Sequence, residues 1–216
     1  MSRAATPETV PNFRRPASRG WAGRDAGDRF SICLERLFAH EGGFNNLKAD
    51  RGGATNFGIS LRFLAGEAAM NPVVRDLLRR MVPGFAGPVT ADTIRRLTAE
   101  AASYLYLWCF WAPCHCDRLP AGVDGMVFDQ AVNAGRTTGV RLLQRAINRA
   151  GSRSGPLFED GQIGPRTLQA AATTDFLQLR RAFRAVAAER YAAIVEGNPS
   201  QAKFLNGWLA RAAALG

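Results

Sequence analysis

The chain has 216 residues, 47% apolar and 21% charged, with a formal net charge of +10. That length can bury a sizeable core, and the composition excludes a disordered chain. The richest apolar run, from Tyr104 to its end near Pro113, is about half the length of a membrane span, so it reads as buried helix. The positive excess favours a polyanionic partner such as nucleic acid, an anionic membrane surface or an anionic wall polymer. Its arginines are scattered and not interleaved with aromatics as in many nucleic-acid readers, but charge alone does not choose among the three; taken with the motifs below, no nucleic acid is expected.

In chain order, residues 1–27 are rich in Pro, Gly, Ala and Arg and read as a mobile basic tail, or as an arm packed through Phe13 and Trp21. They lack the continuous apolar stretch of a standard secretory signal. A helix is expected over 28–41, N-capped by Asp28, with Phe30, Cys33, Leu34, Leu37 and Phe38 forming one buried stripe. Gly42 and Gly43 stop it. A small β-hairpin or irregular lobe follows from Phe44 to Ile59, with the Asp50-Arg51-Gly52-Gly53 stretch as its turn. Helices are expected at 60–69, 72–81, 91–111 (capped by Thr90), 121–133 and 137–150, then a short one starting at Thr167, and finally 175–196 and 200–214, the last capped by Ser200. The fold class is therefore mostly α with a small β-hairpin lobe after the first helix.

The four cysteines are Cys33, Cys109, Cys114 and Cys116. Cys33 and Cys109 suit core packing. The Cys114-His115-Cys116 stretch lacks zinc-knuckle spacing, and only one other histidine, His40, exists, so a buried or partly exposed thiol pair is preferred over a metal site. No metal or cofactor is expected.

Glu41 ends the first helix, where the negative end of the dipole ordinarily favours Lys or Arg. Asp50 follows nine residues later and Thr55 five after that, on a lobe able to fold back over the helix end. Cleaving a glycosidic bond requires a carboxylic acid that keeps its proton near neutral pH and an ionised carboxylate across the sugar. Apolar neighbours Phe38 and Phe44 together with the dipole would raise the Glu41 pKa, while Asp50 in a solvated turn stays ionised. Glu41 is thus the candidate acid and Asp50 the base or electrostatic partner. Asp50 and Thr55 also suit plain turn and cap roles.

The stretch His40-Glu-Gly-Gly-Phe-Asn-Asn, followed by Asp50-Arg-Gly-Gly-Ala-Thr-Asn-Phe-Gly-Ile-Ser60, resembles the signature of glycoside hydrolase family 108, bacterial and phage N-acetylmuramidases. Glu41, Asp50 and Thr55 are also similar in order to the triad of T-even phage lysozymes, with the Asp-to-Thr gap one residue shorter. The resemblance implies Glu41 as catalytic acid, with Asp50 and Thr55 as second and third members, Thr55 holding the attacking water or orienting a carboxylate. Phe44 stands where Tyr is commoner, keeping a stacking face for sugar, and Arg51 precedes the paired glycines. Asn56 is a further candidate for substrate binding, although with Phe57 and Ser60 it equally suits a role in the fold.

The 123–148 stretch also resembles the family. Asp129 and Asn133 share one helix face and are both candidates for substrate binding; Asn133 suits either an N-acetyl sugar contact or a helix C-cap. The Glu159-Asp-Gly-Gln-Ile-Gly-Pro-Arg-Thr167 stretch is similar to the turn of predicted peptidoglycan-binding domains, with Thr167 capping the next helix. The implied organisation is a muramidase catalytic region at 28–118 and a peptidoglycan-binding-like helical region at 119–216, packed as one unit. The resemblance implies hydrolysis of the β-1,4 bond from N-acetylmuramic acid to N-acetylglucosamine, with inversion if the T-even likeness holds. A lytic transglycosylase and a non-catalytic wall-binding or secretion-accessory protein are the alternatives. Partners expected are glycan strands, and a holin or dedicated exporter for release to the periplasmic wall after cytoplasmic synthesis. The protein is expected to be a monomer.

Overall fold

The computed structural model describes residues 24–40, 53–153 and 155–215. It is mostly α with one two-stranded antiparallel hairpin, a lysozyme-like helical fold. No helix among the described residues is long and apolar enough to cross a membrane. The chain divides into two compact units, whose described residues are 34–40 and 53–109 in one, and 24–33, 110–153 and 155–215 in the other.

The first unit takes the C-terminal part of α1 (Arg24–His40). Leu34 and Leu37 are buried and Phe38 is half-buried, as the apolar stripe predicts. α1 begins four residues before Asp28, which therefore lies inside the helix and not at its N-cap. The hairpin pairs β1 (Thr55–Asn56) with β2 (Ile59–Ser60), Thr55 opposite Ser60 and Asn56 opposite Ile59. Its two-residue turn is Phe57-Gly58, with φ of 49° and 73°. Two left-handed residues in succession give the turn whose twist matches that of paired strands. The turn expected at Asp50–Gly53 is thus not that of the described hairpin; residues 50–52 lie outside the described residues.

Ser60 ends the hairpin and begins α2 (Leu61–Met70), its Oγ accepting the Phe63 amide at 3.3 Å. Asn71 then caps α3 (Pro72–Met81) through the Val73 amide at 2.9 Å, with Pro72 in the first turn, where a missing N–H costs nothing. Thr90 and Thr93 form a reciprocal capping box at α4 (Ala91–Arg95). The single helix expected over 91–111 is interrupted here. Thr98 Oγ1 takes the Ala101 amide at 3.1 Å and starts a new helix, α5 (Ala99–Tyr106), which widens into a π-helical turn at Leu107–Trp111.

In the second unit, Phe30 of α1, Trp111 and Phe128 of α6 (Val123–Ala134) pack edge-on, with centroids 5.3, 5.5 and 5.8 Å apart, at the centre of the core. α7 (Arg136–Ala150) follows after Gly135. The two helices meet closely at Gly139, where a Cβ would lie 2.8 Å from the Ala131 backbone nitrogen. α8 (Pro165–Thr173) starts from Gly164 and Pro165. Thr167, expected as its cap, is instead a buried residue of its first turn, 3.5 Å from Gln144 Nε2. Asp175 caps α9 (Phe176–Gly197) through the Gln178 amide. The cap expected at Ser200 is supplied by Asn198, whose Oδ1 accepts the Ser200 amide and opens a 3₁₀ turn at Pro199–Gln201 before α10 (Ala202–Ala214).

Candidate active site

Of the expected catalytic residues, Thr55 is placed by the structure; Glu41, Asp50 and the sugar-stacking candidate Phe44 lie outside the described residues. α1 is described through His40, the residue before Glu41. The local frame around these positions is an aromatic cluster. The Phe38 ring, three residues before Glu41, lies 5.8 Å from the ring of Phe57 and 5.9 Å from that of Tyr106. Tyr106 is buried and its hydroxyl donates to the Phe57 carbonyl at 2.9 Å. A bulky residue at positive φ is strained, and ring contact plus this hydrogen bond hold it there. The end of α1 and the tip of the hairpin are therefore fixed to each other through side chains.

Strand alternation sorts the neighbouring polar residues. Thr55 and Ser60 share the half-exposed face, whereas Asn56 and Ile59 are buried. Thr55 Oγ1 donates at 3.4 Å to the Gly53 carbonyl, a weak bond that leaves its lone pairs usable. Asn56, a substrate-binding candidate from sequence, is instead an internal clamp. It is 6% exposed, and its Nδ2 donates to the carbonyls of Ile94 at 3.1 Å and Leu97 at 3.3 Å. Those carbonyls border the break between α4 and α5, so one amide ties the hairpin to that break. The sequence signal for Tyr106 and Phe57 as positioning residues was slight: a Phe-Gly pair between short polar strands, and one tyrosine within an apolar run.

Asp129 and Asn133 lie in the other unit, four residues apart on α6 as expected. The Asp129 carboxylate accepts from Arg211 Nε at 3.0 and 3.2 Å and pairs with its Nη2 at 2.8 Å, tying α10 to α6. Gln130 Nε2 also donates to it at 3.0 Å. Asn133 is exposed, and its Nδ2 donates back to the Asp129 carbonyl at 2.9 Å.

The loop between α7 and α8 is organised by Gln144, which is 2% exposed. Its Nε2 donates to Asp160 Oδ1 at 2.8 Å and the Gln162 carbonyl at 3.0 Å, while its Oε1 accepts the Gly161 amide at 2.9 Å. These bonds, with the Gln162 amide, hold the Asp160 carboxyl below its usual range. At the start of α6, burial pushes the Asp124 carboxyl up, against the lowering effect of the Gly125 and Gly122 amides and Arg29. Arg29 Nη1 reaches Asp124 Oδ2 at 2.5 Å and the Leu119 carbonyl at 3.0 Å.

Cys114 and Cys116 are buried, whereas His115 between them is exposed in the left-handed region at φ 47°. Burial raises the Cys114 thiol to about 11 and Cys116 well above the ordinary thiol value. Among the described residues, no group of three His, Cys, Asp or Glu side chains is arranged to hold a metal.

Residues 34–135 match the family model described as glycosyl hydrolase 108, and residues 138–213 match the predicted peptidoglycan domain. Among solved structures the chain is similar to SagA of Brucella abortus, with 25% identity and a TM-score of 0.67 over 88% of this chain and 92% of that one. No curated protein matches the chain in sequence. The helical fold and these two matches define the class: a glycoside hydrolase acting on peptidoglycan. In chain order, the stretch similar to glycosyl hydrolase 108 comes first and the stretch similar to a predicted peptidoglycan domain follows.

Proposed function

We propose that the protein is an N-acetylmuramidase that hydrolyses the β-1,4 bond between N-acetylmuramic acid and N-acetylglucosamine. Glu41 protonates the leaving oxygen, Asp50 is the ionised carboxylate across the sugar, and Thr55 orients the attacking water. The observation that carries this reading is the order Glu41, Asp50, Thr55 inside the matched 34–135 region. Two features support it: Thr55 occupies the open face of the hairpin, and the Phe38–Phe57 contact joins that hairpin to the helix leading to Glu41. On the same reading Asn133 contacts an N-acetyl group, while Asp129 orients it and holds Arg211. The enzyme acts on the periplasmic wall, where its positive charge raises the encounter rate with an anionic polymer.

The test is a digest of purified sacculi followed by mass spectrometry of the muropeptides. Products with reducing N-acetylmuramic acid ends are expected; predominantly 1,6-anhydro ends would replace hydrolysis by transglycosylation. Glu41→Gln should lower the rate roughly 10²–10⁴-fold. Undiminished lysis by that variant would remove Glu41 from the mechanism, and an inactive wild type would leave a wall-binding protein.

A further inference from the structure

Phe158 is 85% exposed, although it sits in a loop whose backbone is held firmly. The preceding residue, Leu157, is buried, and its amide and carbonyl both bond the Asn148 side chain, at 2.7 and 3.0 Å. The following residue, Glu159, accepts from Arg145 Nε at 2.9 Å, and Asp160 is held by Gln144. The chain therefore presents a phenyl ring from a backbone fixed on both sides, and no aromatic or cationic partner covers that ring among the described residues. Apolar side chains singly exposed are ordinary on protein surfaces. A ring this exposed on a loop this ordered differs, because the ordering cost of binding has already been met by folding.

Arginines ring the same loop. Arg145 pairs with Glu159, Arg166 Nη2 donates to the Pro156 carbonyl at 3.4 Å, and Arg141 acts on Asp160. All three are exposed. An aromatic face suits the apolar C–H face of a pyranose ring, and guanidinium groups suit carboxylates. Glycan strands bearing lactyl-linked stem peptides carry both. The loop lies wholly inside the stretch matched to the predicted peptidoglycan domain.

We propose that Phe158 is a sugar-stacking platform of a wall-binding site on the α7–α8 loop, with Arg141, Arg145 and Arg166 flanking it for acidic groups. This rests on the peptidoglycan reading above and names the residues that would do the binding. It makes the second region a holder of substrate, separate in chemistry from the Glu41 reaction.

The experiment is co-sedimentation of the full chain with purified sacculi, and with glycan strands freed of stem peptides by amidase, using Glu41→Gln as the background. Phe158→Ala should weaken binding to both by roughly tenfold, the loss of one good aromatic contact. Phe158→Trp should restore it, and thermal melting should be unchanged in both variants. Phe158→Ala binding as tightly as its parent overturns the platform and leaves the muramidase reading standing. A loss seen on sacculi but absent on bare glycan strands also overturns it, because the contact would then be to peptide. Failure of the parent itself to bind either polymer overturns both the platform and the peptidoglycan reading beneath it.

Discussion

The rings of Phe38 and Phe57 meet with centroids 5.8 Å apart and planes tilted by 45°. One residue lies near the end of the first helix, the other at the tip of the only hairpin among the described residues. Tyr106 completes the arrangement by touching Phe38 and hydrogen bonding to the Phe57 carbonyl. The end of α1 and the hairpin that carries Thr55 are joined here.

Tyr106→Phe keeps the ring and deletes the hydroxyl bonded to Phe57. It should cost about 1 kcal/mol of stability and lower turnover of sacculi more than substrate affinity. Phe38→Ala should cost more, about 2 kcal/mol, because half-buried ring area is lost along with the contact. Urea unfolding with steady-state lysis measures both; turnover unchanged in Tyr106→Phe would argue against a positioning role.

Adjacent residues of β1 should respond in opposite ways. Asn56→Asp replaces a donor by a carboxylate facing the Ile94 and Leu97 carbonyls in a buried site, and should cost about 2–4 kcal/mol at pH 7. Thr55→Val, on the half-exposed face, should leave the melting temperature nearly unchanged while reducing activity about 10²-fold. Calorimetry beside a lysis assay separates the two effects.

Gly161 and Gly151 share a φ of 79°, yet their surroundings differ. A Cβ at Gly161 would lie 2.5 Å from Thr137 Cγ2 and 2.8 Å from its carbonyl oxygen, whereas one at Gly151 meets nothing within 4 Å. Gly151→Ala should cost only the left-handed strain of about 1–2 kcal/mol. Gly161→Ala should cost clearly more, since α7 and the loop must separate. Chemical denaturation of both variants decides whether strain alone or the close approach governs this loop.

The Arg29–Asp124 pair predicts a pH dependence. Asp124 is 2% exposed, and burial raises its folded pKa above the unfolded value. The native state then binds its proton more tightly, so this group's contribution falls as pH rises from the unfolded value near about 3.9 through the folded one. Arg29 limits that loss by pairing with the ionised form. Arg29→Met should therefore destabilise by about 3–5 kcal/mol at pH 7 and by less at pH 4, because the raised pKa lets more of Asp124 carry its proton as the pH falls and the neutral form needs no counter-charge. Unfolding curves at the two pH values test this; an equal loss at both would assign Arg29 a packing role.

Thiol accessibility offers a simpler check. Cys109, Cys114 and Cys116 are buried, and Cys114 is held at about 11. A thiolate-selective reagent at pH 8 should leave these three unmodified in the native protein, with partly exposed Cys33 reacting first. Mass spectrometry after brief labelling, with and without denaturant, reads the outcome.

Local chemistry was legible in the sequence. The 3.6-residue stripe through Phe30, Leu34 and Leu37 marks α1, and Thr90, Pro72 and Gly135 mark helix boundaries, because periodicity, caps and breakers act over a few residues. The order Glu41, Asp50, Thr55 likewise stands in the sequence, and the family match covers it. What needed tertiary structure was the assignment of each polar group to solvent or interior. Asn56 and Thr55 are adjacent and similar in character, but strand alternation and the Ile94 and Leu97 carbonyls at the α4–α5 break draw one inward and leave the other on the half-exposed face. Thr167 and Ser200 have the chemistry of caps, yet Gln144 claims the first and Asn198 forestalls the second. A hydrogen-bonding side chain takes the partner that folding brings nearest, and sequence separations of 38 between Asn56 and Ile94, or 49 between Tyr106 and Phe57, leave no local trace.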